Sequence, residues 1–136
     1  ATQLAEMEKL FHEDGLTEEQ KVLELMRHFV DNGVSQSIIT NGGSGAYGTD
    51  GKKIYHQVPF PSNIVEKTGA GDAFTTGALA AQLVGLSLPE SLQWGAAESA
   101  SVMEQVGAAR GLLSEEAIKD KLRDNFALKP KEIASI

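Results

Sequence analysis

Apolar and polar positions along the 136 residues follow two different periods, and the changes of period mark where helices give way to strands. Leu4, Met7, Leu10 and Phe11 recur at helical spacing, with acidic residues on the opposite face. Gly15 closes that stretch. Thr17-Glu18-Glu19 opens a second helix with Thr17 as N-cap, and Val22, Leu25, Met26, Phe29 and Val30 form its buried stripe. Asn32-Gly33 ends it. Val34 to Thr40 reads as a short strand with Ile38-Ile39 as its apolar centre, and a helix leading into a short buried strand predicts a parallel α/β sheet. Ala46-Tyr47-Gly48 and Lys53 to Val58 read as strands around the turn Thr49-Asp50-Gly51-Lys52, where Asp-Gly is a hairpin signal.

Pro59 and Pro61 mark an extended crossing to a second helical region. Thr68 is expected to cap a helix rich in small and apolar residues that runs to Val84, where Gly85 stops it. Pro89-Glu90 starts another helix, expected to reach about Val106, with Leu92, Ala96, Ser99, Ala100 and Met103 along one face and Gly107 at its end. Ser114-Glu115-Glu116 caps a last amphipathic helix bearing Ala117, Ile118, Leu122 and Phe126. Leu128 to Ile136, with Pro130 inside it, reads as a loosely held tail. No internal repeat or low-complexity segment interrupts this order.

Composition narrows the function classes. At 41% hydrophobic and 23% charged residues the chain has globular composition, and its length suits one domain. It contains no run of about 18 apolar residues, so no membrane helix is expected. Ala1 to Lys9 has no apolar stretch of the signal-peptide kind. Cysteine is absent, which excludes disulfides, thiolate metal sites and Cys nucleophiles and suits a reducing cytoplasm. The net charge of −7 argues against nucleic acid as a partner. A polyanionic ligand would have to be held by local backbone donors and a metal ion.

The candidate chemistry lies in Thr68-Gly69-Ala70-Gly71-Asp72-Ala73-Phe74. A backbone without side chains lets an anion approach closely, and the unpaired N–H groups and dipole of a helix's first turn favour negative charge there. Asp72 belongs to that first turn. An anion cradle beside a carboxylate suits phosphoryl transfer, in which positioning and charge stabilisation do most of the work and an Asp takes the proton of the attacking hydroxyl. The plainer alternative is a well-made helix start with no ligand.

The same window, with Thr76-Gly77-Ala78-Leu79 after it, resembles the second signature of the ribokinase-like (PfkB) sugar and nucleoside kinases. The resemblance implies a ribokinase-like three-layer α/β/α fold. It further implies that the Gly69, Ala70 and Gly71 backbone forms an anion hole and that Asp72 is the catalytic base, with ATP and Mg²⁺ as cofactors. Members of that family are longer chains, so residues 1–136 resemble only their C-terminal, nucleotide-binding half. The N-terminal half, with its sugar site and lid, is the partner this resemblance implies.

Thr40-Asn41-Gly42-Gly43-Ser44-Gly45-Ala46 resembles the family's Thr-x-Gly-x-x-Gly segment, which implies that Thr40, Gly42, Gly43 and Gly45 line the nucleotide; a flexible turn entering a hairpin is the alternative. The literal dinucleotide fingerprint Gly43-x-Gly45-x-x-Gly48 is rejected because a hairpin, not a helix, follows it. No Gly-Lys-Ser/Thr occurs, which excludes a Walker-type loop. By the same resemblance Thr68, Ala97 and Ser101 are assigned to the nucleotide, although small residues such as those of Gly95 to Ser101 also serve close helix packing. The resemblance also assigns Glu6, with Gln3 in the place of the family's Asn, to organising magnesium; a surface helix carboxylate is the alternative. Glu66 and Lys67 replace the family's more usual Asp and small hydroxyl residue, which leaves a monovalent cation in doubt. Lys67 is read as solvated, with a phosphate contact as the alternative.

Together these features predict a cytoplasmic ATP-dependent phosphotransferase acting on a hydroxyl of a sugar or nucleoside, with this chain alone inactive. The competing reading is a non-catalytic ATP-binding or oligomerisation piece that retains the motif. A homodimer is left open.

Overall fold

The computed structural model describes residues 12, 15–107 and 110–136. The expected first helix and Glu6 lie outside the described residues. Helix α1 (Glu18–Asp31) opens as its sequence requires. Thr17 Oγ1 accepts the Gln20 backbone N–H while the Gln20 side chain accepts the Thr17 N–H, a reciprocal capping box. Its amphipathic stripe buries Val22, Leu25 and Met26, whereas Phe29 and Val30 stay half-buried.

Four strands follow one another in a single sheet of order β1-β2-β3-β4: β1 (Ser37–Thr40), β2 (Ala46–Thr49), β3 (Lys53–Gln57) and β4 (Lys131–Ser135). Every pair is antiparallel: the hairpin expected at Asp50-Gly51 is present as β2–β3, and the parallel sheet expected from the helix leading into β1 is not. Short links explain it for β1–β2 and β2–β3. Asn41 to Gly45 and Asp50 to Lys52 are tight turns, and a parallel pair needs a crossover of a dozen or more residues. In the second turn the Asp50 carboxylate accepts the N–H groups of Lys52 and Lys53.

The tail is the second correction. Lys131–Ser135 is not loose but is the edge strand beside β3, with a bulge at Ile54/Tyr55. The Gln57 amide donates to Leu128 O at 2.9 Å, Lys53 Nζ pairs with Glu132 at 2.7 Å, and Ile136 N–H reaches Lys52 O at 2.9 Å. Pairing satisfies the β3 backbone groups that would otherwise form an open edge.

Alternation of side chains gives the sheet two buried faces. Ile38, Ala46 and Tyr55 face helices α2 (Ala70–Leu83) and α3 (Leu88–Met103). Ile39, Tyr47, Ile54 and Ile133 face Val22 and Met26 of α1. Helices therefore cover both faces, the three-layer α/β/α arrangement that the resemblance implied. Met26, Ile54 and Leu92 are fully buried, each contributing on the order of 1.5–3 kcal/mol.

Ser87 and Glu90 form a second capping box at the start of α3. This helix ends at Met103 rather than near Val106. The Val65 and Glu66 N–H groups both donate to Met103 O, so the extended segment before α2 is tied to the end of α3. Helix α4 (Glu115–Asp124) is capped by Ser114 and buries Ile118, while Phe126 lies past its end and is exposed.

Candidate functional site

Strand β1 delivers its last residue, Thr40, into the turn Asn41-Gly42-Gly43-Ser44-Gly45, three of whose five residues are glycine. Asn41 N–H donates to Gly45 O at 2.7 Å and Ser44 N–H to Asn41 O at 2.9 Å, around a single 3₁₀ turn at Gly42–Ser44. Gly45 has φ 91°, and a Cβ there would stand 2.1 Å from Gln57 O, so only glycine fits. A Cβ at Gly42 or Gly43 would meet no protein atom within 4 Å. The turn is thus packed on the sheet side and open on the other.

The second glycine segment begins α2. Its N-cap is Gly69, at φ 82°, and not Thr68 as expected. The Ala70 N–H donates to Lys67 O, and Gly69 takes the left-handed position of that turn, which glycine adopts readily; just before it the Glu66 carboxylate accepts Gly107 N–H at 2.9 Å. The Gly107 N–H, with the Thr68 hydroxyl as a smaller contribution, holds the Glu66 carboxyl below the usual glutamate range. The first helical bond of the segment is Ala73 N–H to Gly69 O. The Gly71 and Asp72 N–H groups precede it, at the positive end of the helix. A Cβ at Gly71 would meet nothing within 4 Å, so the helix end is open to a ligand there. Asp72 lies exposed in the same turn.

The two segments converge on one cleft of about 630 Å³. Thr40, Gly42, Gly43 and Gly45 line it together with Ala70 and Gly71, and Lys67 is the charged residue of its lining. Gly69, Thr68 and Asp72 adjoin that lining without belonging to it. Ala97 and Ser101 are not on the cleft: Ala97 is fully buried in the core, and the Ser101 carbonyl lies under Gly111. The same helix turns Ala96, Ser99, Ala100 and Met103 to the cleft instead.

Sequence reasoning missed the apolar wall made by Val58, Phe60 and Ile64. The only signal was the proline-bracketed crossing itself. Phe60 is buried and Ile64 is half exposed at 54%. A cleft lined by open glycines, the first residues of a helix and apolar side chains can take a ligand with both an anionic and a flat apolar part.

Helix α3 also carries Glu98, only 5% exposed, whose carboxylate accepts Leu113 N–H at 3.0 Å. Burial pushes this carboxyl above the usual glutamate range, against the lowering effects of the Leu113 N–H and of Lys121. Its stem packs over Gly77, where a Cβ would stand 2.7 Å from Glu98 Cγ. Close approach of α2 and α3 is what the small residues of both helices provide.

Comparison with known proteins places this arrangement. Fructoselysine 6-kinase of Escherichia coli (strain K12) is 33% identical over 92 residues, which are 67% of this chain and 35% of that protein. 5-Dehydro-2-deoxygluconokinase of Clostridium beijerinckii is 31% identical over 120 residues, 87% of this chain and 34% of that protein. The chain therefore spans about a third of the length of these relatives. Among solved structures, Arabidopsis thaliana ribokinase complexed with ribose and ATP superposes with a TM-score of 0.70 at 28% identity, covering 79% of this chain and 35% of that one. Ribokinase from Thermotoga maritima shares the fold at a TM-score of 0.69 and 24% identity, over 90% of this chain and 40% of its own. Residues 2–115 match the family described as pfkB family carbohydrate kinase, and the chain belongs to that family of ribokinase-like sugar kinases.

Proposed function

We propose that this chain forms the nucleotide side of an ATP-dependent phosphotransferase that acts on a hydroxyl of a sugar or nucleoside. The observation that carries the reading is the convergence of two glycine segments, far apart in sequence, on the N-terminus of α2 in one cleft. The part of the relatives outside the matched third would supply the acceptor side. The relatives act on sugars by name, which favours a sugar acceptor.

ATP fits the residues present, because the space in front of Gly42, Gly43 and Gly71 is open where a Cβ would otherwise stand. When bound, it supplies the phosphoryl group to be moved. The first-turn N–H groups of Gly71 and Asp72 would donate to phosphate oxygens, and the glycine turn would admit the phosphates close to its backbone. Val58, Phe60, Ile64 and Met103 would cover the base. Asp72 would accept the proton of the attacking hydroxyl, and its exposure leaves it accessible to a second substrate. Among the described residues no three His, Cys, Asp or Glu side chains gather to hold a metal. Magnesium would be held chiefly by the nucleotide's own phosphates, as is common for this ion.

Titrating the isotopically labelled chain with ADP and magnesium tests the reading. The largest amide shifts are expected in residues 40–45 and 69–72. Shifts concentrated in α4 with both glycine segments silent would remove the site from this cleft.

A further inference from the structure

We infer that His56 is a positioning residue for the glycine turn, acting on the ligand through Ser44 rather than by touching it. The inference rests on the nucleotide reading above and adds the side chain that orders one wall of that site.

His56 is on β3, directly opposite Tyr47 of β2. Their rings stack on the sheet face that α1 covers, with centroids 4.4 Å apart and planes 16° from parallel. The imidazole is held in one plane by this contact, and its Nε2 lies 2.7 Å from Ser44 O. A carbonyl oxygen can only accept, so Nε2 carries the proton and donates.

Ser44 closes the 3₁₀ turn whose glycines line the cleft. Inside that turn the bonds run between backbone groups: Ser44 N–H to Asn41 O and Gly45 N–H to Gly42 O. Glycine has the largest conformational entropy to lose on ordering, and Gly42 and Gly43 have no side chain with which to anchor themselves. The His56 bond ties the far end of the turn to the sheet. It therefore reduces the ordering that a ligand would otherwise have to impose, which is pre-organisation in the strict sense. Tyr47 is 3% exposed, so the stack sits on a rigid floor.

Two variants of the chain separate this role from bulk stability. His56→Phe keeps an aromatic ring over Tyr47 and removes the donor. His56→Gln gives up the ring and restores an N–H of similar reach. The expected result with ADP and magnesium is a loss of affinity of about 3- to 10-fold in His56→Phe, the scale of one hydrogen bond, with recovery in His56→Gln. Changes in the unliganded amide spectrum of His56→Phe should centre on residues 41–45. Nitrogen spectra of the wild-type imidazole should show a protonated Nε2. Wild-type affinity in His56→Phe, with both glycine segments still shifting on titration, overturns the role of His56 and leaves the site standing. An unprotonated Nε2 overturns it without any variant. A wild-type chain whose glycine segments ignore the nucleotide removes the underlying reading, and the positioning role falls with it.

Discussion

The ring of Phe74 lies directly against Gly95: a Cβ at residue 95 would stand 2.7 Å from Phe74 Cε1 and 2.8 Å from its Cδ1 and Cζ. Phe74 follows Asp72 by two residues on α2, so this contact sets how the N-terminus of α2 sits against α3. Gly95→Ala should force the ring or the helix aside and cost about 1–3 kcal/mol, as overpacking does. Thermal unfolding of the variant checks it, and an unchanged midpoint would show that the two helices have slack.

Gly71→Ala should behave in the opposite sense. The new methyl meets no protein atom, and alanine is better than glycine inside a helix by roughly 0.5–1 kcal/mol. The chain should be at least as stable as before, yet bind ADP with magnesium more weakly because the methyl occupies the open space at the helix end. Calorimetric binding beside a melting curve reads both signs. A variant that is stabilised and binds as well as wild type would mean that no phosphate comes near Gly71.

Asp72→Asn should lower kcat by about 10²-fold or more in the phosphotransfer-competent protein, the low end for a positioned proton acceptor. Nucleotide affinity should not fall, since the first-turn N–H groups are untouched. Near-normal turnover would take the base role away from Asp72.

Glu98 predicts a pH dependence. Burial raises its folded carboxyl above the value it has in the unfolded chain. The stability tied to its protonated form is therefore fully present below the ordinary glutamate range and is lost as pH rises through the folded value. Glu98→Gln keeps an oxygen for Leu113 N–H without the charge. The stability of this variant relative to wild type should grow as pH rises from the ordinary glutamate range toward neutrality. Denaturant midpoints of both chains between pH 4 and 7 measure the difference, and parallel curves would show that Glu98 titrates normally.

What the residues determined by themselves was local chemistry. Both glycine segments, the helix that follows Gly69, and the caps at Thr17 and Ser114 were legible because each depends on neighbours within a few positions. The family resemblance rested on the same short windows and was right about the three layers. Tertiary structure decided what depends on distant partners. The β2–β3 hairpin was legible at Asp50-Gly51, but the tail became β4 only because β3 had an edge to pair. The phase of α3 was the finest such decision. Residues 97 and 101 and residues 96, 99, 100 and 103 are equally small or apolar in sequence, and successive helical residues are about 100° apart around the axis. Only the packing of α3 on Phe74, Leu113 and the sheet fixes which of them look into the cleft.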